Sequence, residues 1–71
     1  MDGELENLGT VRVGRRHCQV VHDAGIDLTR NMHVLFIRDG DRIDAIVRPL
    51  YSAKWRWATP RDKLPDFGMV H

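Results

Sequence analysis

The chain has 71 residues, 42% of them hydrophobic, and its eleven basic residues nearly balance its ten acidic ones. This length supports one small domain, and the near-neutral charge argues against an obligate nucleic-acid-binding protein. Cys18 is the only cysteine, which excludes an internal disulfide, and we expect a cytoplasmic protein without a signal peptide or a transmembrane helix.

The chain begins with two predicted strands joined by a tight turn. Residues 10–13 alternate polar and apolar side chains, and a Gly-Arg pair then fits a two-residue turn with glycine first. Residues 16–22 continue as a second strand, which sets Val11 opposite Cys18. A short helix over residues 15–24, ended by a glycine, is the rival interpretation of the same stretch.

A β-hairpin over residues 32–47 is the clearest element of the sequence. Two apolar, β-branched runs flank Asp39-Gly40, a pair typical of a two-residue turn in which both residues have positive φ. With these two residues as the loop, Arg38 pairs with Asp41. A three-residue loop would set two arginines opposite each other, and like charges in that position destabilise a strand pair.

The two faces of this hairpin differ in composition. One face is uniformly apolar, and we predict that it forms the core: Met32, Val34, Phe36, Ile43, Ala45 and Val47. The other face mixes polar residues with apolar ones that need a second cover: Leu35, Ile37 and Ile46. That cover comes either from the chain's own tryptophan segment or from another molecule.

The remaining elements are short. Residues 25–31 are predicted to be a loop, and Pro49 ends the hairpin because proline cannot donate to the strand ladder. Residues 54–58 alternate as a strand, and residues 59–62 fit the start of a helical turn with Pro at its first position. The predicted fold is mainly β (a β-rich α+β chain): a small antiparallel sheet or partly open barrel of four to five short strands with one helical turn.

This interpretation divides the chain into three parts. Residues 1–8 carry three acidic side chains and are expected to be a flexible acidic N-terminus. Residues 9–65 form the single β-rich domain, and residues 66–71 are a loose C-terminal tail.

Catalytic and metal motifs are weak. Cys18 and His22 share a face whether the segment is helix or strand, but zinc needs about four ligands and no second pair is present. A Cys–His nucleophile would also need an orienting group and a pocket. The aspartates around the hairpin turn lack the glutamate that ends an EF-hand loop. We therefore predict no enzyme activity, no metal and no cofactor.

Residues 51–63 are the best candidate for a binding surface, because aromatic and basic side chains alternate there. Such side chains stack on bases, neutralise phosphates and form hot spots between proteins; a tryptophan core with a solvated basic face is the structural alternative. If the segment binds a partner, Trp57→Ala should abolish partner capture with little change in thermal midpoint. The predicted partner-binding residues are Tyr51, Lys54, Trp55, Arg56, Trp57 and Arg61.

The order of elements within residues 9–47 carries a partial resemblance to a known family. A first strand, a Gly-Ile pair and a hairpin closed by Asp-Gly follow one another, and in this order they resemble swapped-hairpin domains of the AbrB type. The resemblance implies an interlocked homodimer that binds DNA, often as an antitoxin. Gly14 departs from the pattern, since a proline usually follows the first strand in that family.

In size and composition the chain resembles small bacteriophage regulators that inhibit or redirect host machinery such as RNA polymerase. The sequence thus predicts a small, non-catalytic regulatory protein that binds a larger protein or itself. A dimeric DNA-binding regulator or antitoxin of AbrB-like type is the alternative, with nucleic acid as the second choice of partner and no membrane contact.

Overall fold

The computed structural model describes residues 9–64 and shows a five-stranded antiparallel sheet that curls into a half-barrel. The mainly β fold expected from the sequence is confirmed. The predicted flexible start and loose tail lie outside the described residues. The strands pair in chain order, with a 3-10 turn after the last: β1 (Thr10–Val13), β2 (Arg16–Asp27), β3 (Met32–Asp39), β4 (Arg42–Pro49), β5 (Arg56–Trp57) and the 3-10 helix Pro60–Asp62. Residues 9–64 contain no helix with the length and apolarity of a membrane span.

The first hairpin has the predicted register. Val11 lies opposite Cys18, and Gly14 takes the positive φ of +62° that the first position of this turn requires. The segment after the turn is strand, so the rival helix is wrong. The strand is longer than predicted, because the Asp27 carboxylate accepts the Thr29 and Arg30 backbone N–H groups at 3.0 and 3.2 Å and confines the turn to the next few residues.

The main hairpin keeps a two-residue loop, but the loop is Gly40-Asp41, and Asp39 belongs to β3. Gly40 alone of the two loop residues has a positive φ, +65°, which is the pattern of a turn with glycine at its first position. The predicted turn required positive φ at an aspartate as well. The observed turn avoids that cost and lets the Asp39 carboxylate bind the Arg16 guanidinium at 2.7 Å.

The change of loop alters the partners of the strand residues without turning them over. Arg38 lies opposite Ile43, so the predicted pairing of Arg38 with Asp41 is wrong. The pairing moves by two positions, and side chains alternate with a period of two, so each residue stays on its predicted face. The composition of the two faces is therefore as expected, although every cross-strand pair differs.

The larger core lies on the hairpin face of Leu35, Ile37 and Ile46, for which the sequence predicts that a second layer must cover it. All five strands contribute to it, and a bridge between Val13 and Trp55 joins β1 to the segment before β5. We call this cluster the inner core: Val13, Cys18, Val20, Leu35, Ile37 and Ile46, with Val11, Trp55 and Trp57 packed against it. The cover comes from the chain itself because the sheet curls toward this face.

The predicted core face is only partly buried. One end of it forms a smaller outer core, in which Met32, Val34 and Val47 are covered by Ala24, Ala58 and Leu64. Phe36 is buried as predicted, whereas Ile43 is 40% exposed and Ala45 is intermediate. The convex side of a curled sheet has fewer chain segments to cover it, so the prediction for Ile43 is wrong.

Two bulges in β2 change the direction of its side chains. The first lies between Val20 and His22, where the pairing with β3 shifts by one residue. Val20 is in the inner core with Cys18, and His22 lies opposite the outward-facing Phe36. Cys18 and His22 therefore do not share a face, contrary to prediction. Within residues 9–64, no three His, Cys, Asp or Glu side chains are grouped as metal ligands.

Candidate functional site

Trp55 and Trp57 belong to the core side of the predicted binding segment. Both tryptophans pack against the inner core, and Trp57 lies opposite Ile46 in the short β4–β5 ladder. Arg56, between them, points to the other face, as the alternation predicted. The fold thus uses the two largest side chains of the segment to close the half-barrel.

The ring of Trp55 is engaged by neighbours from two strands. The His33 ring lies 5.2 Å from it between centroids, and the Arg48 guanidinium lies 5.5 Å from its centroid. Arg48 also donates to the Ser52 carbonyl at 2.7 Å. His33 in turn contacts the Asp23 carboxylate at 2.8 Å. These contacts hold Trp55 as part of the domain rather than as a free stacking platform.

The Arg56 guanidinium is committed to Asp62. It donates to both carboxylate oxygens, at 2.7 and 3.1 Å, and the Thr59 N–H donates to the same carboxylate at 2.7 Å. The Asp62 side chain is only 7% exposed. Its backbone carbonyl accepts the Arg30 side chain at 2.9 Å, which ties the 3-10 turn to the β2–β3 turn.

The Arg56 hydrogen bonds hold the pKa of Asp62 at about 2, below its ordinary 3.8, although partial burial opposes the change. The same pair raises the pKa of Arg56. A carboxyl with a lowered folded-state pKa stabilises the fold above its unfolded pKa. That contribution is lost as the pH falls from about 4 to about 2.

We therefore expect Asp62→Asn to lower the free energy of unfolding by about 1–2 kcal/mol near neutral pH, a value reduced for the half-exposed arginine. Urea denaturation at a series of pH values measures the effect, and the difference from the unsubstituted protein should vanish near the Asp62 pKa of about 2. Asp44→Asn is the control, because its partner Arg42 is 3.5 Å away and largely exposed. Equal losses in the two variants would contradict this role for Asp62.

The other predicted partner-binding residues remain at the surface. Tyr51 is 90% exposed, and Lys54 and Arg61 are exposed as well. Tyr51 follows the end of β4, which lies against the β2–β3 turn because the Leu50 N–H donates to the Asn31 carbonyl at 3.0 Å.

An exposed apolar surface, missed by the sequence interpretation, lies at this end of the sheet. We call it the apolar end: Ile26, Leu28, Leu50 and Tyr51. Leu28 is 78% exposed and Ile26 is 54% exposed. In the sequence, the one indication of this surface is the Ile-Asp-Leu run at residues 26–28, in a segment predicted to be a loop. That this run lies at the same end of the sheet as Tyr51 depends on the pairing of β3 with β4.

No family model matches the chain, and no curated protein or solved structure matches it. Function is therefore inferred from the described side chains. The AbrB-type resemblance and the interlocked dimer it implies stay predictions.

Proposed function

We propose that this chain is a small, non-catalytic regulatory protein that acts by docking its apolar end on a larger protein. The observation that carries the proposal is the contrast between closed and open apolar surface. The inner core is covered by the chain's own strands, whereas Leu28 and Tyr51 are 78% and 90% exposed. Grouped, exposed apolar side chains of this size are typical of protein interaction sites.

The turn that carries Leu28 is held rigidly. The Asp27 carboxylate caps the turn backbone and also accepts the Arg30 guanidinium at 2.8 Å, and Arg30 reaches on to the 3-10 turn. A preformed turn loses little conformational entropy on binding. Desolvation is the largest single effect on the pKa of Asp27 and raises it, but the hydrogen bonds and charge of Arg30 and the Thr29 N–H together outweigh it, so the pKa is lowered and the carboxylate stays charged.

Tyr51 provides the aromatic member of the surface. Tyrosine is enriched among residues that dominate binding between proteins, because it buries a large ring and retains a hydroxyl for hydrogen bonding. Its 90% exposure means that the fold makes little use of it. A substitution here can therefore test binding without testing folding.

The composition of the inner core supports a binding protein over an enzyme. Apolar side chains and one buried thiol fill the inner core. Within the predicted segment, the Arg56 guanidinium is joined to the Asp62 carboxylate in an ion pair. The side chains left available among residues 9–64 are surface ones, and the most accessible apolar ones are at the apolar end.

Site-specific photo-crosslinking tests the proposal. A benzophenone side chain placed at Tyr51 should give a defined adduct with a partner protein in an extract of the source cells, and the same group at Asp41, in the exposed turn at the far end of the main hairpin, should not. Purified RNA polymerase is the first defined partner to assay, given the resemblance in size and composition to phage regulators. Leu28→Ser should abolish the Tyr51 adduct and leave the thermal midpoint within the range of a surface substitution.

Three results would contradict the proposal. The first is an equal adduct from Tyr51 and Asp41, and the second is no adduct from either. The third is an adduct formed solely with a second copy of the chain, accompanied by a dimer in light scattering, which would instead support the alternative of self-association.

A further inference from the structure

A second surface, on the outer side of β1, β2 and β3, is strongly basic. Arg12 lies directly opposite His17, and Gln19 lies directly opposite Arg38. His17 and Gln19 are alternate residues of one strand, so all of these side chains project from the same face. These four side chains are exposed, whereas the residues that alternate with them along the strands face the inner core.

Two further cations extend this surface. Arg12 and Lys54 line one shallow groove together with Gly14, Ala53 and Trp55, where the bridge between Val13 and Trp55 brings β1 beside the later segment. Arg15 lies in the exposed β1–β2 turn. We call the whole surface the basic face: Arg12, Arg15, His17, Arg38 and Lys54.

The basic face belongs to a described part of the chain, residues 9–64, in which positive charge is in excess. Residues 9–64 contain eleven basic and six acidic side chains, an excess of five, and the four acidic residues before and after them reduce the overall net charge to +1. Ion pairs within these residues take up carboxylates at other places: Asp39 with Arg16, Asp27 with Arg30, and Asp62 with Arg56. The arginines and the lysine of the basic face make no ion pair within residues 9–64.

We propose that the basic face binds the phosphate backbone of a nucleic-acid duplex, independently of base sequence. Arginine suits phosphate oxygens because its guanidinium donates in a planar fork. The face shares no residue with the apolar end, so this binding goes beyond the proposed docking on a protein.

The composition of the face favours a duplex over an acidic protein or a single strand. The outward side chains among the cations are Thr10 and Gln19, which donate to phosphates as readily as to water. Apolar and aromatic side chains are a minor part of this surface. Ile43, opposite Arg38, is 40% exposed, and Trp55 lines the groove of Arg12 and Lys54 with its ring already engaged by His33 and Arg48. Charge and hydrogen bonding are what the face offers, and backbone contacts with a duplex need both.

The test is a fluorescence-anisotropy titration of the full chain with a short duplex DNA, a duplex RNA and a DNA of scrambled sequence. If the three arginines and the lysine of the basic face each contact a phosphate, the plot of log affinity against log salt concentration should have a slope of about −3 to −4. A fourfold rise in salt concentration should then lower the affinity roughly a hundredfold. The scrambled DNA should bind equally. A difference between the DNA and RNA duplexes would identify which backbone is preferred.

Matched double variants locate the site. Arg12→Gln with Arg38→Gln should weaken binding at low salt and make the slope shallower by about two, because each phosphate contact contributes about one. Arg61→Gln with Arg42→Gln removes the same charge away from the basic face and should leave the slope nearly unchanged. Tyr51→Ala should bind the duplex normally, which separates this result from the outcome of the crosslinking experiment.

The inference is overturned if neither duplex binds at low salt, or if the two double variants lose affinity equally. Poly-glutamate serves as the competitor that represents an acidic protein. If it displaces the protein from the duplex at equal charge concentration and shows the same loss with the Arg12/Arg38 variant, the face binds acidic polypeptides and a duplex is not its ligand.

Discussion

Trp57→Ala is expected to lower the free energy of unfolding by about 2–4 kcal/mol, most of the roughly 3–5 kcal/mol that a core of this size supplies. Trp57 lies opposite the fully buried Ile46 and packs against the inner core, so its removal leaves a cavity where the half-barrel closes. The thermal midpoint, followed by circular dichroism, should fall by more than about 10 °C.

Tyr51→Ala is the control for this experiment, because it removes an aromatic ring of the same segment that is 90% exposed. It should change the free energy of unfolding by no more than about 0.5 kcal/mol. An unchanged midpoint for Trp57→Ala, together with loss of partner capture, would return Trp57 to the binding surface that the sequence suggested. A similar large loss in both variants would show that Tyr51 also serves the core.

Ile37→Ala should destabilise the fold by about 2–5 kcal/mol, because Ile37 is fully buried in the inner core between Val20 and Asp44 of the neighbouring strands. Ile43→Ala, on the same hairpin and 40% exposed, should cost about 1 kcal/mol or less. Urea denaturation of both variants measures the difference with identical chemistry at each site.

This pair also tests which face of the hairpin holds the main core. The sequence interpretation placed Ile43 in the core and left Ile37 for a second cover. If Ile43→Ala proved the more damaging substitution, the sheet would curl the other way and the inner core described above would be wrong.

The turns show how far local chemistry determines structure. The Gly-Arg turn was predicted with its register, because glycine is the residue that reaches positive φ cheaply and the preferred hairpin turns need it. At the second turn the same rule applies, but Asp39 and Gly40 could occupy the loop in two ways. In the observed turn, Asp39 lies in β3 and pairs with Arg16, which is 23 residues away in sequence. A local sequence pattern cannot predict a contact between residues so far apart.

The tryptophan segment shows how much of the candidate site can be predicted from local sequence. Alternation correctly placed Trp55 and Trp57 on one face and Arg56 on the other. Whether that face was a binding surface or a cover depended on where the strand packed. The apolar end depends in the same way on the approach of Leu50 to the β2–β3 turn.

The sequence by itself determined the mainly β fold, the glycine turns, and which residues of the main hairpin share a face, because these follow from backbone sterics and from the two-residue period of a strand without bulges. Tertiary structure alone decided that the sheet curls over Leu35, Ile37 and Ile46 and that the chain's own tryptophans cover them. It also decided that Arg56 pairs with Asp62, whereas the arginines of the basic face make no ion pair with the other described residues. These outcomes depend on contacts between residues distant in the chain, whose energies are set by the whole packed sheet.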